Sequence, residues 1–294
     1  MSYNKHLTCL VCAGQRFQPL SGYYEPCGLV KCESCGFVFM EKIPTAEELG
    51  AHYSSYSYTG DAYLSPLTIK SYNALLDEFE KYRKTNKLLD IGCGRGWFLE
   101  TARSRGWEVY GTEYSEAAVQ LCQTHGIHMI QGQLNSATFA NDEFDVITSF
   151  EVIEHINNPR EEIAFIHKFL RKGGLFYCTT PNFNSALRYY LKSGYNIINY
   201  PEHLSYYTKS TLNKLLEQNG FKNIKFLSTG ISLTRINLSK KISNEPVIAS
   251  DNADEKLRKN IDSKWYLKIV KNLANSFLTT FNLGLTLKGY YRKL

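Results

Sequence analysis

From Lys87 onward the chain alternates short apolar runs with segments whose apolar residues recur every three or four positions. The runs predict strands at 87–91, 108–113, 128–131, 144–150 and 174–180, with helices at about 97–105, 115–125 and 159–170. Arg171-Lys172-Gly173-Gly174 ends the third helix with cations and glycines, which suit the electronegative end of a helix and the turn that follows. Thr208 then caps a helix running to Asn219, Gly220 stops it, and 222–229 reads as another strand. Strands alternating with amphipathic helices make an α/β domain: a mostly parallel sheet with helices on both faces.

The flanks are patterned differently. Thr45-Ala46-Glu47-Glu48-Leu49 has the spacing of a capping box and predicts a short helix, and helical spacing returns from Ile69 to Tyr82. Tyr53, Tyr56, Tyr58 and Tyr63 lie between them and suit either a lid over a substrate or a linker packed on the domain. Residues 252–282 read as helical and amphipathic, with Lys256, Lys259, Lys264, Lys268 and Lys271 interleaved with Trp265, Leu267, Ile269, Val270 and Leu273. Gly284 to Tyr291 alternates as a strand does. The expected division is a small module at 1–44, a helical and aromatic linker at 45–86, and the main domain at 87–294.

Composition narrows the function classes. With 294 residues and 43% hydrophobic content, the chain can fill one α/β core and a small appendage. It shows no signal-type apolar run and no eighteen-residue apolar stretch, so a cytoplasmic protein is expected. The net charge of +6 is uneven: after residue 221 there are 14 Lys and Arg against 5 Asp and Glu, leaving the remainder net negative. No specific nucleic-acid partner is therefore expected of the domain. The basic, aromatic stretch suits either contact with a membrane surface or packing at a helix or dimer interface.

Cys9-x-x-Cys12 and Cys32-x-x-Cys35 are two short knuckles whose four thiolates suit a structural, tetrahedral Zn²⁺ in a zinc-ribbon-like module. Free or redox-active thiols are the other reading, and Cys27 is expected to be buried or idle. In the domain, Leu88-Leu89-Asp90-Ile91-Gly92-Cys93-Gly94-Arg95-Gly96 reads as strand, tight turn and helix start. Glycines at alternate positions tolerate positive φ and let a ligand approach the backbone. Glu113 closes the next strand, where an acid can accept hydrogen bonds from both hydroxyls of a ribose.

These residues resemble those of the class I S-adenosylmethionine (SAM) dependent methyltransferases over about 87–230. The resemblance implies a Rossmann-like, seven-stranded sheet whose last strand is antiparallel, so residues at about 235–282 become an insertion. It also implies that Gly92, Gly94, Gly96 and Phe150 line the cofactor, that Glu113 takes the ribose, and that Asp90 organises the turn. Gln133 is expected near the adenine amine.

Two acid–histidine segments are expected at the same sheet edge: Glu151-Val152-Ile153-Glu154-His155, and Tyr200-Pro201-Glu202-His203. Three readings are open. His203 is a general base oriented by Glu202 or another carboxylate; or Glu151, Glu154, His155 and His203 hold a divalent metal; or Glu154 and His155 only cap a helix and tie down the cofactor loop. Glu-x-x-Glu-His resembles a segment of ubiquinone-pathway O-methyltransferases and small-RNA 2′-O-methyltransferases. Tyr200-x-Glu202-His203 resembles the catalytic loop of zinc-module sugar C-methyltransferases. The function implied is O-methylation of a sugar hydroxyl, on a small molecule or lipid-linked glycan, in surface polysaccharide or glycolipid assembly. Alternatives are C-methylation of a nucleotide-linked keto-deoxysugar, RNA methylation, and noncatalytic SAM binding.

Overall fold

The order of apolar runs and helical segments translates into two sheets. The fold was obtained as a computed structural model, which describes residues 4–23, 28–54, 63–240 and 252–294. Cys27, Tyr56 and Tyr58, and the side chain of Tyr53, lie outside what is described, and Tyr63 is solvent-exposed.

The cysteine segment forms strands β1 (Phe17–Pro19), β2 (Leu29–Cys32) and β3 (Val38–Met40). Helix α1 (Ala46–Ser54) opens on a reciprocal cap, Glu48 N to Thr45 Oγ1 at 3.1 Å and Thr45 N to Glu48 Oε2 at 2.9 Å, as the sequence predicts. Helix α2 (Pro66–Phe79) is capped by Ser65. The alternating core follows as β4 (Lys87–Ile91), α3 (Trp97–Ser104), β5 (Glu108–Glu113), α4 (Glu116–Thr124), β6 (His128–Gln131), β7 (Phe144–Phe150), α5 (Pro159–Phe169) and β8 (Leu170–Pro181). After α6 (Ala186–Leu191) come β9 (Ser205–Tyr206), α7 (Lys209–Glu217) and β10 (Phe221–Thr229). The chain closes with α8 (Leu233–Ser239), α9 (Ala253–Ser263), α10 (Trp265–Phe281) and β11 (Thr286–Lys293).

The main sheet has seven strands in the order β10-β11-β8-β7-β4-β5-β6, with β11 antiparallel to both neighbours. The pairs β4–β5, β4–β7, β5–β6 and β7–β8 are all parallel. Apolar side chains pack against both faces: α2 and α3 cover one through Phe79, Phe98 and Leu99, and α5 and α7 cover the other through Ile163, Phe169 and Leu215. The carboxyl ends of β4, β5, β7 and β8 consequently share one edge, where open α/β sheets bind ligands.

Three differences from the expected elements have physical causes. β8 begins at Leu170, not 174, because residues 171–174 form an irregularity: register jumps from Phe144↔Leu170 to Val146↔Leu175. A Cβ on Gly174 would stand 2.9 Å from the Asp145 and Arg171 carbonyl oxygens, so glycine permits this close crossing. The helix expected over 252–282 is two helices, since α9 ties to α2 through Ser65–Glu255 and Lys70–Asp262 whereas α10 lies along β10. β11 starts two residues late because Gly284 passes within 2.5 Å of the Ser228 backbone, measured from where its Cβ would be.

The second sheet is antiparallel, in the order β1-β2-β3-β9. Its fourth strand comes from beyond β8, with Val38↔Tyr206 and Phe39↔Ser205 in register. Phe37, Phe39 and Tyr207 are fully buried between this sheet and the main domain. The cysteine segment is thus built onto the chain that directly follows His203.

Candidate active site

Strand β4 delivers the glycine turn to the sheet edge. Gly92, Gly94 and Gly96 have φ of +65°, +53° and +76°, a region closed to most side-chain-bearing residues. A Cβ on Gly92 would press to 2.6 Å from Val152, whereas one on Gly94 would meet nothing within 4 Å. Gly94 therefore leaves open space where a side chain would otherwise stand. Beside it the Glu113 carboxylate accepts from Gly94 N at 3.0 Å through one oxygen and from Tyr114 N (2.8 Å) and Ser115 N (3.2 Å) through the other. These amides fix the carboxylate at the end of β5. The Phe150 ring, at the end of β7, meets Phe98 at 4.9 Å and Tyr72 at 6.2 Å. Gln133 is exposed in the loop after β6. A cationic nucleoside fits this open backbone cradle with an acid at its rim.

Asp90 is buried under the turn and accepts from Thr148 Oγ1 at 2.7 Å. Burial, aided by the nearby Glu113 charge, raises its pKa to about 7 against the pull of that hydrogen bond. Its ionised form is thus scarce below neutrality in the free protein. A positively charged ligand favours ionisation, so binding should release a proton there. Cofactor affinity is expected to fall by up to about tenfold per pH unit below 7, and Asp90→Asn to flatten that slope. Calorimetric titrations at pH 6, 7 and 8 check this; equal slopes in both proteins would contradict it.

The second half of the site follows β7. Glu151 has φ +53°, held there because its N–H donates to both the carbonyl oxygen (3.0 Å) and Oγ1 (3.1 Å) of Thr179. The next turn carries Glu154, which is buried; its Oε2 accepts from Thr180 Oγ1 at 2.9 Å, while Oε1 has no hydrogen-bond partner among the described residues. His155 Nδ1 lies 2.6 Å from the Glu202 carbonyl oxygen and His203 Nδ1 2.6 Å from that of Ile197. A carbonyl only accepts, so each Nδ1 carries the proton and each Nε2 presents its lone pair. The two rings are 4.8 Å apart. One ligand atom from each of Glu154, His155 and His203 lies within 4.8 Å of the others. Glu151 stands outside that trio, so the structure gathers three of the four residues expected together.

Burial sets the protonation states. It lowers His203 to about 4, helped by His155, and it also lowers His155. It raises Glu154 to about 8. Glu154 and His203 meet in a tightly packed cleft with Pro181, Phe183, Tyr195 and Tyr206, closed to a water molecule in this conformation.

Two contacts differ from those expected. His203 is oriented by the Ile197 carbonyl and not by a carboxylate; the Glu202 carboxylate instead takes the Asn199 amide at 2.7 Å. Tyr200 donates its hydroxyl to Glu48 Oε2 at 2.9 Å, with the Lys42 ammonium 4.7 Å from its ring centre, so it anchors the loop to α1. The cause is the tight turn closed by His203 N to Asn199 O at 2.7 Å, which buries His203 while Glu202 and Tyr200 bond elsewhere. Sequence reasoning missed Arg235 on α8, whose positive charge acts on both Glu154 and His203. It sits within an irregular insertion and carries no motif. It also missed Thr179 and Thr180, ordinary β-strand residues in any pattern.

The loop is held from two sides. Leu204 N donates to the Glu154 carbonyl at 2.8 Å, and its own carbonyl accepts from Met40 N at 2.9 Å. Met40 ends β3, a few residues from Cys35. The four sulfurs of Cys9, Cys12, Cys32 and Cys35 cluster within 4.8 Å, with Cys9–Cys35 and Cys12–Cys32 separations of 3.6 Å. Tetrahedral Zn–S bonds of ~2.3 Å require sulfurs about 3.8 Å apart, so the set fits one ion and is too wide for disulfides.

Comparison with known proteins agrees with this geometry. A family model described as a methyltransferase domain matches residues 66–225. The ubiquinone biosynthesis O-methyltransferase of Pseudomonas aeruginosa (strain PAO1) is 32% identical over 105 residues, covering 33% of this chain and 45% of that protein. The Ruegeria pomeroyi enzyme of the same name is 33% identical over 104 residues, covering 33% and 42%. The chain thus matches less than half the length of these curated relatives. Among solved structures, a SAM-dependent methyltransferase from Archaeoglobus fulgidus superposes with TM-score 0.51 at 17% identity, covering 77% of this chain and 93% of that one. The geranyl diphosphate C-methyltransferase of Streptomyces coelicolor A3(2) gives TM-score 0.54 at 13% identity, covering 76% and 79%. At such identities the likeness is one of fold.

Proposed function

Because the chain belongs to the methyltransferase-domain family and has the fold of SAM-dependent methyltransferases, we propose that it methylates a hydroxyl oxygen of its acceptor. The observation that carries this is the His203 Nε2 lone pair, fixed by the Ile197 carbonyl beside the cleft at the sheet edge. SAM supplies a methyl group on a cationic sulfur; transfer forms the O–CH₃ bond, breaks the S–CH₃ bond and leaves S-adenosylhomocysteine. Glu113 and the Gly94 backbone hold the nucleoside, and His203 Nε2 receives the hydroxyl proton. The low pKa leaves His203 unprotonated at neutral pH and a weak base, so it takes the proton as the forming O–CH₃ bond acidifies the hydroxyl. Alignment over the glycine turn contributes much of the rate, as it does wherever two reactants are held in line.

A second reading rests on one specific observation. Glu154 Oε1 is buried without a partner, close to two imidazole lone pairs, and those three groups are suitable ligands for a divalent cation that would acidify the hydroxyl. Dialysis against EDTA separates the two. In samples whose zinc content is unchanged by the dialysis, proton transfer to His203 alone predicts turnover unchanged; a bound cation predicts a loss of about 10²-fold, restored by Mg²⁺ or Mn²⁺.

For the acceptor we retain a sugar hydroxyl, supported by the resemblance of the four-cysteine segment to that of sugar methyltransferases. The curated relatives bear names that specify transfer to oxygen, which favours an O-methyl over a C-methyl product.

The cysteine cluster we assign to structural Zn²⁺. Since β3 holds residues 204–206, losing the ion should disturb the His203 loop more than the glycine turn. Cys32→Ser is expected to lower turnover about 10²-fold while cofactor affinity stays within about threefold, because small misplacements of a catalytic group cost rate steeply. Zinc content measured together with turnover and SAM titration checks it. Full activity in a zinc-free variant would contradict the coupling.

A further inference from the structure

Helix α10 is mounted with its apolar side outward. Trp265, Ile269, Leu273, Phe277 and Phe281 recur every four residues, forming one stripe, and each is between 50% and 74% exposed. Val270 widens it at 58% exposure. The helix docks by its other side, and largely through polar contacts. Asn275 Oδ1 accepts from Gly230 N at 3.1 Å, and Thr279 Oγ1 donates to the Ser228 carbonyl at 3.0 Å while accepting from Ser228 N at 3.2 Å. Only Leu278 is buried. The domain's own core therefore leaves this stripe unused, and large apolar patches on a surface mark contact sites.

We propose that α10 lies on an anionic membrane surface. Charge decides this occupant over a second copy of the chain. Helix α10 carries Lys268 and Lys271, with Lys264 just before it, and no Asp or Glu, so two copies of this basic helix repel, whereas anionic headgroups attract it. Exposed aromatic side chains at both ends of the stripe suit the interface between headgroups and acyl chains. No helix among the described residues is long and apolar enough to cross a membrane, which makes the contact peripheral.

The position gives the contact a use. At the end of α10, Asn182 Nδ2 donates to the Asn282 carbonyl at 2.8 Å and Ala186 N to that of Leu283 at 2.8 Å. Asn182 directly joins Pro181 and Phe183, which line the cleft beside His203. Docking through α10 thus brings the acceptor edge to the lipid surface, where a lipid-borne acceptor would be within reach.

The test is flotation of the full chain with vesicles of phosphatidylglycerol and phosphatidylcholine in equal parts, or of phosphatidylcholine alone. Binding to the anionic vesicles is expected to be at least about tenfold stronger and to weaken with salt. The paired substitution Leu273→Glu and Phe277→Glu, at exposed positions, should abolish flotation with cofactor binding and helix content unchanged. Failure of the unaltered chain to float, or undiminished flotation of the variant, overturns the proposal. So does a dimer by light scattering that the variant dissociates without any vesicle binding. SAM titration of the same samples keeps this outcome separate from that of the methyl-transfer reading.

Discussion

Replacing Glu113 with alanine is expected to weaken SAM binding by about 10²-fold or more while leaving the fold intact. Two effects combine. The ribose loses charge-assisted hydrogen bonds, each worth roughly 1.5–3 kcal/mol. The amides of Gly94, Tyr114 and Ser115 lose the acceptor that fixes the turn, so the cradle is less organised before binding. Because Glu113 is only partly buried at the end of β5, its removal leaves no large cavity. Glu113→Gln, which keeps shape but not charge, should fall between. Calorimetry on protein with an unchanged melting transition is the measurement. Affinity within about threefold of the unaltered chain would place the cofactor elsewhere.

Changing His203 to alanine should lower turnover by about 10²- to 10⁴-fold, the range typical of a lost general base, with cofactor affinity unchanged. Its Nε2 is the atom assigned to the proton, and its place depends on the Ile197 carbonyl and on Leu204 being pinned between Glu154 and Met40. Cofactor binding is spared because the glycine turn and Glu113 form a separate set of contacts. His203→Gln offers a polar side chain of similar reach but no comparable base, and should be similarly impaired. Stopped turnover together with lost cofactor binding would instead mark a collapsed loop.

The parallel core was legible because each element carries its own local signal. Strands at 87–91, 108–113, 128–131 and 144–150 appear with the expected limits: β4 and β7 are buried apolar runs, whereas β5 is only half-buried and β6, at the sheet edge, is largely exposed. The gathering of Glu154, His155 and His203 was legible in outline, because topology alone sends the ends of β7 and β8 to one edge. What the sequence did not disclose depends on long-range pairing. Two residues, Ser205 and Tyr206, form β9 only because β3 lies alongside. Nothing in Lys264 announces the break between α9 and α10; the two helices diverge to reach α2 and β10. The hydrogen bond that holds Tyr200 was equally hidden, since its partner Glu48 lies 152 residues earlier. The outward stripe of α10 likewise has the spacing of an ordinary core helix, and only the docked structure shows that the described residues leave its apolar side uncovered.

The central claim is transfer of a methyl group to an oxygen whose proton His203 takes. Its most direct measurement uses SAM carrying a labelled methyl group, with the purified chain, its His203→Ala variant and fractionated extract of the source cells. The account predicts label in a hydroxyl-bearing, sugar-containing fraction, released by ether cleavage, with the variant giving little. Label that resists ether cleavage, or equal label with the variant, would contradict it.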